Sequence, residues 1–143
     1  MMALYVLIDF SFNQVTDLPT YRFEISTLPI NKPRLLTDDK VMILIARYDT
    51  KTLDQLQSKG RVSRISESFR QSQPRVDEQG YFVAMAYGTD RGCPLKMMPE
   101  GFMETCSDAR YDLLGRSMNP QAYADLDIPQ YTVSQNHSIL TVN

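Results

Sequence analysis

Two short runs, Val41-Met-Ile-Leu-Ile-Ala46 and Tyr81-Phe-Val-Ala-Met-Ala-Tyr87, are apolar on both parities of an extended chain. A strand with one wet face alternates apolar and polar residues, so a run without alternation belongs where both of its faces are covered. Periodicity alone leaves a short buried helix as the other reading of the first run. Its β-branched residues and its length favour a strand. Both runs are therefore read as central, buried strands.

The rest of the chain is placed around them. Leu4, Val6, Ile8 and Phe10 share one parity and predict a strand over 4–10. Tyr21, Phe23 and Ile25 alternate with Arg22, Glu24 and Ser26, the pattern of a half-wet strand, and the two segments are expected to form an antiparallel pair. Pro29 and Pro33 make Pro29 to Asp39 a loop or an edge, because proline offers no amide donor. Thr52 with Gln55 forms a capping-box pattern and Gly60 a terminator, predicting a helix from Leu53 to Lys59. Arg61 to Ser66 reads as an edge strand, with a helix through Phe69 as the alternative. Residues 71–80, polar and containing Pro74, are expected to form a mobile loop and the one internal boundary.

Short apolar segments follow at Leu95 to Met97 and Phe102 to Thr105. Tyr111, Leu114 and Met118 at helical spacing, behind a Ser107 or Asp108 cap, predict a second helix to about Met118. Asn119-Pro120 predicts a third over Gln121 to Leu126. Tyr131 to Ser134 and Ser138 to Val142 flank a turn and read as a hairpin. The expectation is one α+β domain over 1–143, with a mainly antiparallel mixed sheet and two or three short helices.

Charge narrows the function. A net charge of −2 and a pI near 5.3 remove whole-molecule attraction to nucleic acid and anionic membranes. The apolar start Met1 to Ile8 lacks a basic flank and a small-residue cleavage site, so it does not read as a signal peptide, and no run is long enough to span a bilayer. A cytoplasmic protein, or a component of an assembled particle, is expected. The two cysteines, Cys93 and Cys106, are too few for a secreted disulfide framework and are read as reduced thiols. The single histidine, His137, leaves no ordinary zinc ligand set, and neither a metal nor a cofactor is expected.

Four constellations are the candidates for chemistry. Cys93 or Cys106 with His137 and Asp108 or Asp112 contains the residue types of a thiol enzyme, but buried inert cysteine is far commoner. Gly88-Thr-Asp-Arg-Gly92 follows a strand, where glycine-rich loops cradle phosphate; it lacks Gly-Lys-Ser/Thr, and a tight hairpin turn explains it more simply, with Asp90 and Arg91 left to line a small-ligand pocket. Lys59, Arg61, Arg64, Arg70 and Arg75 form the one basic run, either a phosphate track or a solvated edge. The acid pairs Asp38-Asp39, Asp108 with Asp112 and Asp125 with Asp127 read as caps and solvated residues rather than a cation site.

Composition supplies the remaining hint. Arginine outnumbers lysine 10 to 5, glutamate is only 5, and there are 8 Met and 8 Tyr, the bias that distinguishes interface cores from ordinary surface. The first expectation is a non-enzymatic protein-association module: an assembly subunit or a small inhibitor, of viral or phage type. The alternative is a nucleic-acid or nucleotide-binding module using Arg61, Arg64, Arg70, Asp90 and Arg91.

Overall fold

The computed structural model describes residues 20–38, 40–60 and 75–143. Along them run β1 (Tyr21–Glu24), β2 (Arg34–Thr37), β3 (Met42–Arg47), α1 (Thr50–Gly60), β4 (Tyr81–Met85), β5 (Leu95–Met98), β6 (Gly101–Glu104), β7 (Arg110–Asp112), β8 (Tyr131–Val133) and β9 (Ile139–Val142). The strands form three antiparallel sheets, ordered β2-β3-β4, β1-β9-β8 and β5-β6-β7.

The two apolar runs pair with each other, Ile45 opposite Val83 and Leu44 opposite Ala84. One parity, Ile43, Ile45, Tyr81 and Val83, packs on Phe23, Ile25, Leu140 and Val142 of the β1-β9-β8 side. The other, Leu44, Ala46, Phe82 and Ala84, packs on Phe102, Tyr111 and Leu114 of the β5-β6-β7 side and on Leu126. The inner sheet is thus covered on both faces, which is why neither run alternates. Each large apolar side chain fully buried here stabilises the fold by about 1.5–3 kcal/mol. β3 is central, whereas β4 is buried but stands last in the order of its sheet among the described residues.

The architecture is mostly β, which corrects the α+β expectation of two or three helices. Among the described residues only α1 is helical, and it begins earlier than the capping box placed it. Asp49 is its cap: Asp49 Oδ1 accepts the Thr52 amide at 2.8 Å, and the Asn31 side chain fixes the other carboxylate oxygen at 3.0 Å. The expected helix through Met118 is instead β7 followed by a turn. Tyr111 pairs with Phe102, and Asp112 Oδ1 accepts the amides of Leu114 and Arg116 while Gly115 takes φ +72°. The expected helix over Gln121 to Leu126 is a single turn at Asn119 followed by chain without regular secondary structure. The Leu126 amide goes to the Gly115 carbonyl, and Asp125 accepts the Ser117 amide. Short segments with good local caps lose to such non-local partners, because nucleating a helix is unfavourable.

The hairpin β8–β9 forms as the sequence suggests, with His137 at φ +57° in its turn. β1 pairs with β9; the strand expected over 4–10, the Arg61 to Ser66 strand and residues 71–74 of the expected loop lie outside the described residues. Residues 75–80 form a hydrogen-bonded turn. Asp77 Oδ1 accepts the amides of Gln79 and Tyr81, each at 2.9 Å, and Asp77 Oδ2 accepts the Tyr131 hydroxyl, also at 2.9 Å. Burial and that carboxylate hold the Tyr131 hydroxyl well above its ordinary pKa.

Candidate functional site

The loop after β4 closes as a hairpin turn: Tyr87 bridges Pro94, and the Gly88 amide donates to the Cys93 carbonyl at 2.9 Å. Two further amides, of Arg91 and Cys93, point inward at an anion, and the anion belongs to the protein. Glu104, at the end of β6, is 0% exposed. The Arg91 amide reaches both carboxylate oxygens, at 3.2 and 3.1 Å, and the Cys93 amide reaches Oε2 at 3.0 Å. The Ser107 hydroxyl donates to Oε1 from the opposite side.

Burial by itself raises the pKa of Glu104. The bonds from Ser107 and from the amides of Cys93, Arg91 and Gly92 outweigh it and hold the carboxyl below its ordinary value. Gly88 makes the arrangement sterically possible: a Cβ there would lie 2.2 Å from Glu104 Oε2. The glycine-rich loop therefore does use its amides to hold an anion, but an internal carboxylate fills the cradle that a phosphate would need.

A covalent bond joins the same two loops. Cys93 and Cys106 form a disulfide with Cα atoms 5.9 Å apart, which corrects the expectation of reduced thiols. The spacing of 13 residues, with Glu104 inside the closed segment, stabilises by about 3 kcal/mol in the chain-entropy account. Thr89 anchors the loop further, its amide donating to the Tyr111 hydroxyl at 2.7 Å. Cys106, expected to precede a helix, lies instead in the turn from β6 to β7.

Beside this knot opens a cleft of about 830 Å³. Asp90 and Arg91 line it from the first loop, Cys106, Ser107 and Asp108 from the second, and Asn119 and Tyr123 from the turn beyond β7. Asp90 and Arg91 thus both lie on the wall of this cleft. Arg61, Arg64 and Arg70 lie outside the described residues. Arg75, from the same basic run, turns inward and donates to the carbonyls of Leu114, Gly115 and Leu126 at 2.9–3.0 Å. Sequence reasoning missed Glu104; its shared parity with Phe102 is the one usable signal that it faces inward.

The cysteine–histidine grouping is not assembled as catalysis would require. His137 Nδ1 meets the Tyr81 hydroxyl at 3.0 Å on the β8–β9 side of the inner sheet, whereas the disulfide braces the β5-β6-β7 side. Of the acid pairs, Asp112 accepts amides in its turn and pairs with Arg116 at 2.7 Å, Asp125 accepts the Ser117 amide, and Asp39 lies outside the described residues. No group of three or more His, Cys, Asp or Glu side chains converges as a metal site among the described residues, and no described helix is long and apolar enough to cross a membrane.

A second surface lies beyond β7. Met118, joined to Arg110 by a 2.9 Å backbone bond, is 65% exposed, and Met97 of β5 is 41% exposed. A groove of about 290 Å³ runs between Met98, Pro99, Gly101, Arg110 and Met118. No protein-family model matches the chain, and no curated protein matches it in sequence.

Proposed function

We propose that the chain is a protein-association module, an assembly subunit or small inhibitor of viral or phage type, working through the methionine-bearing surface of the β5-β6-β7 sheet. The observation that carries this reading is the exposure of Met118 on the rim of the groove. Methionine is flexible and polarizable and adapts to varied apolar partners, and with arginine it is enriched where surfaces become buried. At about 290 Å³ the groove is at the lower limit of ligand pockets, a size suited to one anchoring side chain.

The disulfide supports a setting that is oxidising, such as an assembled particle, over a reducing cytoplasm. The nucleotide alternative is less well supported. The loop amides are occupied by Glu104, and Arg91 shares its cleft with two carboxylates, Asp90 and Asp108.

A photo-crosslinking residue placed at Met118, against a control at exposed Thr132, tests the reading in purified protein and in an extract of its source. Crosslinks concentrated at position 118, to the same chain or to another protein, are expected. Equal yields at 118 and 132 would remove the basis for the proposal.

A further inference from the structure

The cleft beside the Glu104 knot offers a second chemistry, independent of the methionine surface. Its floor carries one half of the disulfide: Cys106 is exposed and lines the cleft, whereas Cys93 is half-buried and does not. Thiol–disulfide exchange needs in-line access to one sulfur, and that difference selects Cys106 Sγ as the atom attacked. The walls carry a guanidinium, Arg91, and two carboxylates, Asp90 and Asp108, whose side chains make no ion pair among the described residues. Such a set complements a small molecule bearing a carboxylate and an ammonium group together. Opening the disulfide need not open the knot, because the Glu104 bonds and the Thr89–Tyr111 anchor hold both loops without it.

From this geometry we propose that the cleft is a thiol-exchange site for small zwitterionic peptide thiols, modified at Cys106. The incoming thiol ionises and its sulfur attacks Cys106 Sγ. A new disulfide forms between that sulfur and Cys106 as the Cys93–Cys106 bond breaks. Cys93 departs as a thiolate and takes up the proton that the incoming thiol released. One disulfide is exchanged for another with no net oxidation; the Cys93 thiolate reverses the step by attacking Cys106 Sγ and expelling the small thiol, whereas a second thiol molecule, attacking the small thiol's sulfur, leaves as the symmetrical disulfide and reduces both cysteines.

The test uses the full chain purified without reductant, in which thiol titration should read no free cysteine; two free thiols would overturn the proposal at once. The folded protein is then treated with reduced glutathione or with uncharged 2-mercaptoethanol, trapped with N-ethylmaleimide and mapped by peptide mass. Glutathione is expected on Cys106 and maleimide on Cys93. Arg91→Ala leaves the backbone amide that binds Glu104, and it should slow glutathione roughly three- to fivefold relative to 2-mercaptoethanol, the scale of one screened charge contact. An adduct on Cys93, reaction only in denaturant, or equal slowing of both thiols by Arg91→Ala would each overturn it.

Discussion

Replacing Glu104 by glutamine keeps the shape of the buried side chain and removes only its charge. In the parent, Oε2 accepts the Arg91 and Cys93 amides at 3.1 and 3.0 Å, while Oε1 accepts the Ser107 hydroxyl and a longer Arg91 bond. Glutamine fits best with its amide group toward Ser107, whose hydroxyl rotates to accept, and with its oxygen still facing the two backbone donors. What is lost is the charge assistance on those bonds and the second Arg91 contact. Bonds to a charged partner contribute about 1.5–3 kcal/mol each against about 1 for neutral ones, so the net loss should be about 2–3 kcal/mol.

For a chain this size that corresponds to a melting temperature lower by roughly 6–12 °C, measured by calorimetry at pH 7. The pH dependence gives an independent check. Because the folded state holds the carboxyl below its ordinary value of 4.5, the charge stabilises fully above that pH and its contribution fades as pH falls through the folded value. The parent–variant gap should therefore be widest near neutrality and close in acid. A Glu104→Gln protein melting within 1 °C of the parent at pH 7, or a gap unchanged in acid, would refute the claim that the knot is held by a charged carboxylate.

Gly88→Ala should destabilise by a comparable amount, since the new methyl group would lie 2.2 Å from Glu104 Oε2; combining it with Glu104→Gln should cost less than the sum in urea titrations. Ile43→Asp places an unpaired carboxylate at a 0% exposed position between two layers and should abolish cooperative unfolding seen by near-ultraviolet circular dichroism. Arg75→Ala leaves the Leu114, Gly115 and Leu126 carbonyls without their guanidinium and should lower unfolding free energy by about 2–4 kcal/mol, with lysine failing to restore it because one ammonium cannot reproduce the planar fork.

The sequence alone located the two buried strands, the helix after Asp49 to within a few residues, and the C-terminal hairpin. Those elements carry their signal locally, in missing alternation around Ile43 and Val83, in a cap followed by Leu53 and Leu56, and in a polar turn between two apolar runs. Composition and charge also set the ranking of functions, and the glycines at 88 and 92 placed Asp90 and Arg91 in a turn.

Tertiary structure decided the rest, because the deciding partners are distant in the chain. Tyr111 and Leu114 stand at helical spacing, yet Phe102 across the sheet and the buried face of β3 and β4 make an extended chain the better way to bury them. The loop amides of Arg91 and Cys93 looked free for phosphate until β6 delivered Glu104 between them. Two cysteines 13 residues apart are ambiguous as a pair of letters. They become a brace only when the β5–β6 hairpin folds back and brings the turns at its ends together, so local propensity set which segments were strands, and the cost of leaving buried polar groups unpaired set how those segments met.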